Sequence, residues 1–173
     1  METGSINLSI DNNIAKITFS HPKGNSLPSV LLKDLTNKFH ELGNNKNVKI
    51  IILASDGNGA FCAGASFDEL QSIKDFVTGK EFFMGFARLI IAMTNCPKFI
   101  IARIHGKAVG GGVGLISAAD YAIASSNVSI RLSEFALGIG PFVVAPAIER
   151  KIGLNALASM TIDTEWRDSN WGL

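Results

Sequence analysis

Two stretches of this 173-residue chain put glycine where chemistry done by the backbone would need it. Gly59-Ala60-Phe61-Cys62-Ala63-Gly64-Ala65 follows the apolar run 50–53, and Gly106-Lys107-Ala108-Val109-Gly110-Gly111-Gly112-Val113-Gly114 follows the apolar run 99–104. Glycine lets a backbone come close to a ligand and turn its N–H groups toward it. A helix that starts at such a loop adds unpaired N–H donors and the positive end of its dipole. Two such loops side by side would aim a pair of donors at one oxygen, an oxyanion hole for a carbonyl that gains negative charge during reaction. Each loop alone also has a plain explanation as a tight turn. Nucleotide binding is poorly supported. The run 110–114 lacks G-x-G-x-x-G spacing and a suitable acidic residue after the next strand, and no G-x-x-x-x-G-K-[ST] occurs.

A polarised carbonyl makes its neighbouring carbon acidic, so the second requirement is a proton carrier. Glu134 is the candidate. It lies in Ile130-Arg131-Leu132-Ser133-Glu134-Phe135 among apolar neighbours, where partial burial would raise its pKa. From the residues alone, a surface glutamate paired with Arg131 is the commoner reading. Other acids fit less well: Asp68 and Glu69 suit capping or a solvent face of a short helix, and Asp120 suits a structural role at a strand start. Cys62 adjoins the first loop, but no histidine is spaced to activate it, and small packing is its expected role. His21, His40 and His105 are scattered, with neither triad nor metal-ligand spacing, and the two cysteines form no C-x-x-C pair, so no metal site is expected.

The elements that must position these groups follow from periodicity. Residues 5–10 and 14–20 alternate apolar and polar around Asp11-Asn12-Asn13, which predicts a hairpin. Over 28–42 the apolar residues Val30, Leu31, Leu35, Phe39 and Leu42 recur at helical spacing behind Pro28. Residues 48–53 and 99–104 read as buried strands, and 121–124 and 128–130 as short ones. Helices are expected over 66–73, 78–94, 115–119, 143–152 and 154–162. Strands alternating with helices predict α/β architecture with parallel pairing. No internal repeat and no low-complexity linker interrupts the pattern.

Composition narrows the partners. Hydrophobic residues make up 47% of the chain, charged residues 18%, and the formal net charge is +1, which suits one sizeable core. Without clustered Lys and Arg, no nucleic-acid partner is expected. No apolar run is long enough for a transmembrane helix, and the start of the chain lacks the basic-then-apolar pattern of a signal peptide. No membrane partner is expected, and a reducing, cytoplasmic location is the default.

Taken together, Gly24-Asn25-Ser26-Leu27, the loop 60–65, the run Ile104-His105-Gly106-Lys107-Ala108-Val109-Gly110-Gly111-Gly112, Ala119-Asp120, Ser133-Glu134 and Leu137-Gly138-Ile139 resemble the enoyl-CoA hydratase/isomerase (crotonase) family over residues 6–162. The resemblance implies a crotonase-like spiral of ββα units. It implies a thioester oxygen held between the N–H groups of Ala65 and Gly111, a CoA moiety along Ala63, Ser66 and Phe67, and Glu134 as the catalytic acid/base. Assembly as a homotrimer or hexamer is implied. No cofactor is, because CoA arrives as part of the acyl-CoA substrate. Lys107 could meet a CoA phosphate or simply face solvent. Phe82, Phe83, Met84 and Phe86 could line an acyl pocket, or serve as core or a subunit contact.

The chain departs from the family pattern in three places. Two-glutamate hydratases carry a second glutamate where this chain has Gly114, and many members have aspartate where it has Ser66. Family members also continue into a C-terminal helical region. The expected division is therefore a core over 1–162 and the start of a truncated helical region over 163–173. Without the second glutamate, the pattern leans toward an isomerase that shifts a double bond with one carboxylate, or toward a hydratase that works with one carboxylate. Thioester hydrolysis, decarboxylation and plain acyl-CoA binding on the same scaffold are the alternatives.

Overall fold

The computed structural model describes residues 4–171. The outer limits of the two expected segments, residues 1–3 and 172–173, lie outside the described residues. The chain opens with β1 (Ser5–Asp11) and β2 (Ile14–Ser20), an antiparallel hairpin. Its turn uses Asn12 and Asn13 at φ 48° and 66°. That left-handed pair is what a two-residue hairpin turn requires, and asparagine tolerates it. After α1 (Ser29–Asn44), β3 (Ile50–Ser55) joins β2 in parallel. After α2 (Phe67–Gln71) and α3 (Phe76–Thr94), β4 (Phe99–Ile104) joins β3 in parallel.

From β4 the chain runs through the two-residue β5 (Ala108–Val109) into α4 (Gly111–Ala118) and returns as β6 (Tyr121–Ala124), parallel to β4. The main sheet has the order β1-β2-β3-β4-β6. A small second sheet consists of β5, β7 (Ser129–Arg131) and β8 (Arg167–Asp168), and α5 (Ala145–Asp163) connects β7 to β8 beyond a 3-10 turn at Phe135–Leu137. The register aligns Ile17, Leu53 and Ala102, all fully buried. Leu35, Phe39 and Leu42 of α1 and Leu89 and Met93 of α3 belong to the same core. This is the expected α/β alternation with parallel pairing.

Four boundaries differ from the sequence-based expectation for local reasons. α3 begins at Phe76 rather than Thr78, because Asp75 accepts a hydrogen bond from the Thr78 N–H at 2.8 Å and closes a capping box. β3 runs from Ile50 to Ser55 rather than over 48–53, with the Lys49 N–H tied to the Asn13 carbonyl at the hairpin tip. The two expected helices 143–152 and 154–162 form one element, α5, with a non-helical break at Gly153 (φ 78°, ψ 164°). The fourth shift bears on function: α4 begins at Gly111, inside the glycine run, not at residue 115.

Candidate active site

The first glycine loop is held in place by the segment 24–27. Ala63 donates its N–H to the Gly24 carbonyl at 3.0 Å, and Leu27 donates to the Gly64 carbonyl at 2.8 Å. Asn25, only 6% exposed and left-handed at φ 57°, ties the base of the loop together. Its Nδ2 donates to the carbonyls of Asp56 (2.9 Å) and Ala60 (2.8 Å), while its Oδ1 accepts from the His21 N–H (2.9 Å).

The second loop is zipped onto the first. Cys62 donates to the Lys107 carbonyl at 3.2 Å, and Val109 donates to the Cys62 carbonyl at 2.9 Å. The approach is too close for side chains. A Cβ on Gly64, which also sits at φ +90°, would come within 3.0 Å of the Val109 carbonyl oxygen, and one on Gly112 within 2.6 Å of the Cys62 oxygen. The same Gly64 Cβ position lies 3.6 Å from the Gly111 nitrogen, so the two loops meet at Gly111. Gly110 donates to the Arg131 carbonyl at 2.9 Å and turns the chain into α4. Gly111 is thus a first helical residue, whose N–H has no partner within its own helix. Among the described residues neither the Ala65 nor the Gly111 N–H donates to a backbone acceptor outside the regular elements.

Both residues open on a cavity of about 190 Å³. Ala63, Phe67 and Glu134 line it as well, so five of the six expected site residues converge there. Ser66 does not line it. Its hydroxyl accepts from the Glu69 N–H at 3.4 Å and caps α2. Phe82, Phe83 and Phe86 supply apolar lining, as do Leu137, Ile139, Val143 and Val144; Met84 is not part of the lining.

Glu134 reaches the cavity from the turn after β7. Its Oε1 would lie 2.8 Å from a Cβ built on Gly110, and its Oε2 is buried without a hydrogen-bond partner. Burial pushes its carboxyl above the usual carboxylate range, and the backbone N–H groups of Glu134 itself and Ser133 pull the other way. The surface pairing with Arg131 does not form: no ion pair among the described residues includes Glu134, and the Arg131 guanidinium instead sits 5.7 Å from the Trp166 ring centroid.

At Gly114 a Cβ would lie 2.6 Å from Val144 Cγ1 and 3.2 Å from Ile90 Cδ1. The space a longer side chain would need is occupied. Sequence reading could not find Val144 as the occupant, since nothing local links it to Gly114. It also missed how closely Phe86 sits on the second loop: a Cβ on Gly111 would come 2.4 Å from two carbons of its ring.

The remaining candidates fall away from the chemistry. Burial pushes the Cys62 thiol up to about 12, so it stays protonated and unreactive at neutral pH. Asp68 pairs with Lys23 at the surface. Glu69 accepts from the Ser29 N–H (2.9 Å) and hydroxyl (2.6 Å) and so caps α1, not its own helix. Asp120 accepts from the Ile100 N–H at 2.8 Å, a structural tie across the β4–β6 connection. His21 contacts Ser26, and His105 carries a buried Nε2 without a partner outside the cavity lining. Lys107 lies 4.9 Å from the Trp166 ring centroid. Among the described residues no group of three or more His, Cys, Asp or Glu could hold a metal, and no helix is long and apolar enough to cross a membrane.

Residues 9–166 match the family model described as enoyl-CoA hydratase/isomerase. A short-chain-enoyl-CoA hydratase from Clostridium acetobutylicum is 30% identical over 156 residues, covering 89% of this chain and 59% of the relative. An enoyl-CoA hydratase from Alternaria alternata is 35% identical over 150 residues, covering 86% of this chain and 48% of the relative. An enoyl-CoA hydratase/isomerase (crotonase) structure from Legionella pneumophila superposes with a TM-score of 0.92 at 28% identity, over 96% of this chain and 65% of that one. The chain thus spans about half to three-fifths of the length of these curated relatives. The zipped glycine loops and the half-buried glutamate beside them sit within the matched residues on a crotonase fold, and the chain belongs to the enoyl-CoA hydratase/isomerase family.

Proposed function

We propose that the site acts on an unsaturated acyl-CoA thioester and moves its double bond, with Glu134 carrying the proton. The thioester oxygen would accept from the Ala65 and Gly111 N–H groups. Polarised in this way, a 3-enoyl thioester loses a C2 proton to the Glu134 carboxylate. The electron pair delocalises onto the oxygen as a dienolate, and the same carboxyl returns the proton to C4, leaving a conjugated 2-enoyl thioester. Fixed donors favour the charge as it develops on oxygen, and losing one such donor costs roughly 10²–10³ in rate. CoA would run along the loop 63–67, and the apolar lining would take the acyl tail.

The observation that carries this proposal is the half-buried Glu134 carboxyl beside Gly110, its Oε2 buried without a hydrogen-bond partner, in the cavity on which Ala65 and Gly111 open. Migration is favoured over hydration because hydration needs water activated and a proton delivered, work usually shared by two carboxylates. Glu134 is the one acid in the cavity lining, and Val144 fills the space beside Gly114. The same lack of a second acid disfavours thioester hydrolysis.

The test is spectrophotometric. A 3-enoyl-CoA should gain conjugated thioester absorbance, and Glu134→Gln should lose turnover by roughly 10²–10⁴ while still binding a CoA ligand by calorimetry. Loss of absorbance from a 2-enoyl-CoA would instead establish hydration. Ligand binding without turnover of either substrate, unaffected by Glu134→Gln, would make the site a binding module.

A further inference from the structure

We infer that Trp166 is a positioning residue for the second glycine loop, acting from outside the cavity lining. The inference rests on the proposal that the Gly110–Gly111 turn grips the substrate oxygen. Trp166 directly precedes β8, which pairs with β7 through Ile130↔Arg167, and β7 in turn pairs with β5 through Val109↔Arg131. The indole therefore stands at the far edge of the small sheet whose near edge enters the loop.

Its ring carries two cations, Lys107 Nζ at 4.9 Å and the Arg131 guanidinium at 5.7 Å from the centroid, both within cation–π range. These two residues also supply backbone acceptors that fix the site. The Lys107 carbonyl accepts from Cys62 in the first loop at 3.2 Å, and the Arg131 carbonyl accepts from Gly110, next to Gly111, at 2.9 Å. One ring thus contacts two residues whose carbonyls each accept one of the ties that set the second loop.

Two facts favour the ring over other anchors. Arg131 Nε is buried without a hydrogen-bond partner, and no ion pair among the described residues includes Lys107 or Arg131. The π-face of Trp166 is what offsets two like charges brought together. None of the three residues lines the cavity, so the effect on chemistry must pass through the backbone.

Trp166→Ala and Trp166→Phe separate this role from plain packing. For Trp166→Ala we expect kcat on a 3-enoyl-CoA to fall about fivefold with KM held within about twofold. Amide exchange should accelerate in the segment 106–114 while β3 and β4 keep their protection. Trp166→Phe, which keeps a π-face, should recover most of both. Unchanged exchange in 106–114, exchange that accelerates equally across the molecule, or a Phe variant no better than Ala would each overturn the inference. If wild-type protein turns over no enoyl-CoA, the proposed activity fails, and the exchange of 106–114 alone decides the role of Trp166.

Discussion

Glu134 is held at a thermodynamic disadvantage. Its pKa is raised in the fold by burial, so as pH rises the unfolded chain ionises first. The stability this group contributes is fully present below its unfolded pKa and is lost as pH climbs through the folded one. Glu134→Gln should therefore raise Tm at neutral pH, with the gain shrinking toward zero in acid; equal Tm values at pH 7 would contradict this. In the wild type, turnover that needs the carboxylate should fall as pH drops through the same raised pKa, above the usual carboxylate range. Gly114 makes the complementary point. Gly114→Glu pushes into Val144 and Ile90 and should cost about 1–3 kcal/mol by urea titration, with partial relief from Val144→Ala. Glu134 could be picked out in the sequence by the resemblance to the family pattern, its apolar neighbours alone being compatible with a surface role. Val144 could not, because its approach to Gly114 is made by the packing of a distant segment.

Elements aim the site, and here the most telling piece is the shortest. The turn 24–27 lies outside the helices and named strands, yet Asn25 ties it to the Asp56 and Ala60 carbonyls at the entry to the first loop. Asn25→Gly keeps the left-handed backbone and should cost about 1–3 kcal/mol for the buried carbonyls left unpaired. Asn25→Ala should add roughly 1 kcal/mol of backbone strain. Equal urea midpoints for wild type and Asn25→Gly would show that the ties contribute nothing. The motif was visible in the sequence, but its mechanism was not, because a side chain satisfying carbonyls about 30 residues away leaves no local trace. The start of α4 was misplaced for a related reason. Glycine is a poor helix former, and periodicity alone put the helix at residue 115, whereas the contact with the first loop allows it to start at Gly111.

Across the whole molecule, the alternation of strand and helix was legible because each period is written locally. The two-sheet arrangement was less so, since β5 and β8 are two residues each and are set by pairing with residues distant in sequence. The surface carries its own message. Tyr121 (58% exposed) and Ile123 (54%) lie on the edge strand β6, and Leu154 (63%) and Ile162 (69%) on α5. Exposed apolar residues on an open sheet edge favour pairing with another chain. Self-association through this surface is the expected outcome. Light scattering should show a mass above one chain, and Ile123→Lys should shift it downward. A stable wild-type monomer would count against this.

The zipped loops have an evolutionary consequence. The donors at Ala65 and Gly111 are backbone atoms, so a side-chain replacement other than proline shifts them rather than deletes them. The proton carriers around them are side chains and can be gained or lost one at a time. If the proposed hold on the thioester oxygen is right, a scaffold divided in this way can keep it while the side chains around it change, and the packing of Val144 and Ile90 against Gly114 is a change that leaves both donors in place.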